Sequence, residues 1–175
     1  MPEGKACALS AEVAERAAAA KIPVRSRPGR AARPDQTLLA FDFGERFIGV
    51  AVGEAGPGIA KAAGLIEATT GEARFAKIDA LVHQWTPAML VVGLPLAMDG
   101  GEQTMSARAR RFARQLAARY RLPVALADER LSSAAAAESL RGSGRGGRKN
   151  RHRVHAEAAR IILQGYLDDR DAARG

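Results

Sequence analysis

An aspartate sits inside an otherwise apolar run near residue 40, and that placement limits what the chain can fold into. Residues 38–43 read Leu-Leu-Ala-Phe-Asp-Phe, then come Gly44, Glu45 and Arg46, then a second apolar run at 47–52. Two short apolar runs separated by so few residues fold as adjacent strands joined by a tight turn. Burying a carboxylate is costly unless it is paired or binds a cation. Asp42 is therefore either a cation-binding acid or a carboxylate satisfied by turn amides at Gly44.

The rest of the pattern extends this hairpin into an α/β domain. Residues 59–66 read as a weaker third strand of an antiparallel meander. Phe75, Ile78, Leu81, Val82 and Trp85 recur at helical spacing, which predicts a helix over 72–85. Residues 89–94 form a fourth strand. A long helix over 102–121 turns Ala109, Phe112, Ala113, Leu116 and Tyr120 inward, and a fifth strand follows at 122–127. Strand, helix and strand in that order make a parallel crossover. A helix at 131–140, a loop at 141–150 and a last helix at 151–169 complete the order. The expected fold class is an α/β domain with a mixed five-stranded sheet.

A chain of 175 residues needs no cross-links to build such a core. Its one cysteine, Cys7, excludes a disulfide framework and a cysteine-based zinc site. No apolar run approaches membrane-spanning length, and the first residues lack the apolar segment of a signal peptide. The expectation is a cytoplasmic protein with no membrane partner. Residues 1–36 read as a flexible basic extension, with seven basic and four acidic residues. The α/β domain is expected over 37–170, and 171–175 as a tail.

The charge points to a polyanion. Lys and Arg total 27 against 19 acids, for a net charge of +8. Most of the excess is arginine, whose planar fork matches phosphate oxygens. Segment 141–153 carries six basic residues and no acid, a composition suited to a phosphate backbone or to a solvated linker. Two further features carry titratable groups. Asp128, Glu129 and Arg130 follow the fifth strand, where sites gather in open α/β sheets. His152 and His155 are spaced to share one face of the last helix. Each also has a plain structural reading, as a helix cap or as a solvated helix end. Two motifs mislead. The glycines at 142–147 fit G-x-G-x-x-G but follow a helix rather than a strand. Asp42-Phe43-Gly44 spells a kinase motif without a kinase-sized domain around it.

Four stretches, taken in order, resemble the YqgF/RuvX family, RNase H-like proteins described as Holliday junction resolvases or pre-rRNA nucleases. They are residues 39–52 (LAFDFGERFIGVAV), 91–100 (VVGLPLAMDG), 127–133 (ADERLSS) and 154–167 (VHAEAARIILQGYL). The resemblance implies an RNase H-like sheet of strand order 3-2-1-4-5 and metal-dependent phosphodiester hydrolysis. It assigns ligands to Asp42 and Glu129. Where the family's helix usually has aspartate, this chain has His155. Glu157 does not substitute, because two residues along a helix is about 200° around it. Glu45 and Phe47 stand where the family often has Thr and Arg.

The resemblance implies that Asp42, Glu129 and His155 are both the catalytic and the metal-ligating residues. Mg²⁺ prefers carboxylate oxygens, and an imidazole in the set favours Mn²⁺. Resolvases of the same superfold place a histidine near the metal from this helix. Arg46, Arg130, Arg148, Lys149 and Arg151 are expected to hold phosphates, with Arg108, Arg110, Arg111 and Arg114 extending that surface. His152, Asp128 and Asp99 are auxiliary candidates. The partner is structured RNA or branched DNA, bound by a monomer or a homodimer. The competing reading is a nucleic-acid-binding protein whose catalysis is weakened by His155. An actin-like ATP-binding domain is a distant third, since the chain supplies only one phosphate-type hairpin.

Overall fold

The structure, a computed structural model, describes residues 24–25, 35–95, 104–128 and 148–173, with side chains described for 35–95, 104–128 and 153–173. The elements among them are β1 (Val24–Arg25), β2 (Thr37–Asp42), β3 (Phe47–Glu54), β4 (Ile59–Glu67), α1 (Gly71–Trp85), β5 (Met89–Leu94), α2 (Thr104–Tyr120), β6 (Val124–Asp128) and α3 (Arg148–Ala172). The helix expected at 131–140 lies outside the described residues, as do Asp99, Glu129 and Arg130.

Each element has a local cause. β2 and β3 are apolar runs that turn at Gly44. A Cβ at Gly44 would sit 2.4 Å from the Phe47 carbonyl oxygen, so the turn closes only around glycine. Helix α1 starts at Thr70, whose hydroxyl accepts from the Ala73 amide at 3.2 Å, and ends at Thr86 in the left-handed region.

The strands form one sheet of order β1-β6-β5-β2-β3-β4. β2–β3 and β3–β4 pair antiparallel, the latter with an irregularity at Val50/Ala51. β2–β5 and β5–β6 pair parallel. From β2 to β6, the five strands take the 3-2-1-4-5 order of the RNase H-like fold. The sixth strand was not expected. Val24 and Arg25 pair parallel with Val124 and Ala125 at the β6 edge. Two residues are too few to carry a period-two pattern.

Strand alternation sorts the core into two layers. Leu39, Phe41, Ile48, Val50, Leu90, Val92, Val124 and Leu126 face α1 and α2, where Ile78, Phe112 and Leu116 meet them. Leu38, Ala40, Ala51, Met89, Val91 and Ala125 face α3 and its Ala159, Ile162, Leu163, Tyr166 and Leu167. Small residues on this second face let α3 lie close to the sheet.

Helix α3 departs from expectation at both ends. It begins at Arg148, so Arg148, Lys149 and Asn150 lie in its first turn rather than in a loop. Arg and Lys are good helix formers, and no glycine or proline intervenes between Gly147 and Gly165. It runs to Ala172, past the expected end at 169. Its last turns are tied to the β3–β4 turn. Gln164 accepts from the Ala60 amide at 3.0 Å and donates to the Gly58 carbonyl at 2.8 Å. Arg170 is only 2% exposed and donates to the Ala55 carbonyl. Among the described residues no helix is long and apolar enough to cross a membrane.

A polar clamp joins α1 to α2. Arg119 grips Asp79 with two hydrogen bonds, at 2.9 and 2.6 Å, and the Tyr120 hydroxyl donates to the same carboxylate at 2.6 Å. The Arg119 bond, then that of Tyr120, lowers the Asp79 carboxyl from its ordinary 3.8 to about 2. Burial first, then the bond to Asp79, pushes the Tyr120 phenol up. Asp79 is 42% exposed, so solvent screening keeps the clamp's contribution to stability small. Because the folded carboxyl titrates below the unfolded one, this stability is present above pH 4 and fades as pH falls towards 2. Asp79→Ala should lower Tm by roughly 2–4 °C at neutral pH. Melting curves recorded down to pH 2.5 should show that difference closing.

Candidate metal and nucleic-acid site

The site is built where the hairpin meets α3. Asp42 is the last residue of β2 and shares alternation phase with Leu38 and Ala40, so it faces α3. Its register partner across the hairpin is Gly49. A Cβ on Gly49 would lie 1.9 Å from the His155 carbonyl oxygen, so strand and helix touch here backbone to backbone. That contact places residue 155 beside Asp42. Asp42 is only 4% exposed, and its Oδ2 lies 3.5 Å from His155 Nδ1. This Nδ1 is buried and makes no hydrogen bond. The His155 ring also stacks on Phe47, with centroids 5.7 Å apart and planes inclined by 23°.

The other expected residues divide. Asp128 closes β6, opposite Leu94 of β5, at the same end of the sheet as Asp42. Its phase, however, is that of Val124 and Leu126, which face α1 and α2. The alternation therefore turns Asp128 to the opposite side of the sheet from Asp42 and His155. Apolar residues at every other position of β6 hid that phase in the sequence. Glu129, which follows Asp128 directly, lies outside the described residues. His152, Arg148, Lys149 and Arg151 lie in the first turns of α3. Among the described residues no cluster of three or more His, Cys, Asp or Glu side chains is assembled.

The donor chemistry nevertheless suits a divalent cation. A carboxylate oxygen and a buried imidazole nitrogen without a hydrogen bond stand close enough for one ion to touch both. Burying that nitrogen unbonded costs free energy that a ligand would recover.

Around the hairpin tip lies a set of cations. Arg46 pairs with Glu67 at 3.1 Å and stands over the Phe47 ring at 5.3 Å. Arg74 donates to the Glu45 carbonyl at 2.5 Å and stands over Phe43. Arg108 pairs with Glu45. Arg108, Arg111 and Arg114 are exposed on α2, and Arg110 is half-buried. Exposed pairs of this kind are weak and exchange readily for a phosphate. Sequence reasoning missed Arg74, which comes to the tip only through the packing of α1. It also missed the link between Phe47 and His155, two departures from the family pattern that turn out to touch each other.

The topology and the buried acid at the strand end define an RNase H-like domain. Comparison with known proteins narrows this. Residues 36–169 match the model of the RuvX family, described as Holliday junction resolvase. A protein of Methylobacillus flagellatus named "Putative pre-16S rRNA nuclease" is 48% identical over 141 residues, covering 81% of this chain and 97% of that one. One of the same name from Thiobacillus denitrificans is 47% identical over 134 residues, covering 77% and 92%. The chain belongs to the RuvX family, a family of nucleases. Among solved structures, Thermus thermophilus RuvC bound to a Holliday junction substrate matches with a TM-score of 0.45 and 16% identity, covering 78% of this chain and 96% of that one.

The contact at Gly49 makes a stability prediction. Gly49→Ala should cost about 2–3 kcal/mol by forcing α3 off the strand, a Tm loss of roughly 5–10 °C. Thermal unfolding followed by circular dichroism checks it.

Proposed function

We propose that this protein hydrolyses phosphodiester bonds in the 5′ region of the 16S rRNA precursor, using a divalent cation held by Asp42, Glu129 and His155. The observation that carries the chemistry is the buried Asp42 carboxylate 3.5 Å from an unbonded His155 nitrogen, at the strand end where RNase H-like sheets keep their sites. The RNA assignment is supported by the names of the curated relatives.

When bound, the cation lowers the pKa of a water and stabilises charge on the leaving 3′-oxygen. The chain's own residues do the rest. Asp42, walled in by the hairpin and α3, offers a carboxylate whose position is fixed by strand pairing. His155 offers Nδ1 in place of the usual third carboxylate, which removes one negative charge and favours Mn²⁺ over Mg²⁺. Arg46, Arg74 and Arg108 surround the hairpin tip and hold the phosphates on either side of the scissile bond. Arg148, Lys149 and Arg151 add positive charge at the N-terminus of α3, where the helix dipole already favours an anion. Arg130 is proposed as a further phosphate contact. These groups read backbone shape rather than sequence, so the substrate is chosen by its structure. The products carry a 5′-phosphate and a 3′-hydroxyl.

His155 also gives a second reading some footing. Without a third carboxylate, the scaffold would bind structured nucleic acid and cleave it slowly or not at all. Cleavage of labelled precursor RNA and of a four-way DNA junction, with Mg²⁺ and with Mn²⁺, separates the readings. The wild type should cut the RNA, faster with Mn²⁺. Asp42→Asn should lose on the order of 100-fold or more in rate. His155→Asp should shift the preference towards Mg²⁺. A silent wild type together with an active His155→Asp would establish the binding protein, and cutting of the junction alone would move the substrate to DNA.

A further inference from the structure

His155 is held at two points of one strand. Gly49 receives its backbone, and Phe47 receives its ring. The two residues are one strand period apart and so lie on the same face of β3. The backbone contact fixes where the side chain starts but leaves the imidazole free to turn about χ2, a broad torsion. Tilting the ring plane would carry Nδ1 off its 3.5 Å approach to Asp42 Oδ2 and lose the face contact with Phe47 at 5.7 Å between centroids, whereas a half-turn keeps the plane and is opposed by the Asp42 contact. Aromatic contacts of this type favour one ring plane several-fold. The aromatic column extends outward, since the Arg46 guanidinium stands over Phe47 at 5.3 Å.

We propose that Phe47 is a positioning residue for His155. Its flat face fixes the imidazole plane in which Nδ1 lies beside Asp42, and an aliphatic side chain of similar bulk cannot do this. As a statement about a metal ligand the inference rests on the proposed function, but the ring orientation itself is a property of the metal-free protein.

The experiment has two readouts on the full-length chain. Imidazole ¹⁵N–¹H correlation spectra of the metal-free protein report the His155 ring. Electron paramagnetic resonance of free Mn²⁺ during titration reports binding. Phe47→Leu should shift or broaden the His155 signals and weaken Mn²⁺ binding about tenfold, as the loss of an orienting partner does. Phe47→Tyr, which keeps the aromatic face, should restore both. In a His155→Ala background, Phe47→Leu should change Mn²⁺ binding no further. Wild-type His155 signals in Phe47→Leu would overturn the proposal, and so would an equal loss of Mn²⁺ affinity without His155. A wild type that takes up no Mn²⁺ would defeat the ligand assignment instead, and the spectra would still decide whether Phe47 orients the ring.

Discussion

The missing side chain at Gly49 is what the rest of this site depends on. Helix α3 reaches the sheet through backbone contact there, with no room for even a methyl group. Because Gly49 is the register partner of Asp42, the point of closest approach and the buried acid lie side by side. His155 then needs no special loop to reach Asp42. Its place follows from one helix resting on one hairpin.

The two-layer core turns that contact into a rigid one. Below it, Ala159, Ile162, Leu163 and Leu167 pack onto a sheet face lined with alanines and medium-sized residues. Burial of each large side chain contributes roughly 1.5–3 kcal/mol, so the helix cannot slide without losing several such terms. At its far end, Gln164 and Arg170 bond the β3–β4 turn. The helix is thus held from His155 to its last turns, and the carboxylate–imidazole pair inherits that precision. Burial of Asp42 would be a liability in a scaffold without function. Here it keeps the carboxylate dry and oriented.

Much of this was legible in the residues. Apolar runs and helical spacing placed the elements, and Asp42 announced itself as an acid in an apolar strand. Other parts were written in contacts rather than in patterns. Val24 and Arg25 are too brief a strand to show a period. The phase of β6 was hidden because Val124, Ala125, Leu126 and Ala127 are all apolar, and only packing shows that Asp128 turns away from Asp42. Phe47 and His155 each looked like an isolated departure from the family pattern. Nothing local says that they touch, because over a hundred residues of chain separate them.

One consequence concerns the limits of the fold. The span shared with the family is 36–169. Contacts among the described residues reach past it, among them β1 pairing with the start of β6 and Arg170 reaching back to Ala55. A strand with its amides and carbonyls unpaired is a template for other chains. Val24 and Arg25 thus do more than lengthen the chain. By pairing with Val124 and Ala125 they leave less of the β6 edge open to a neighbour, a matter of colloidal behaviour rather than catalysis.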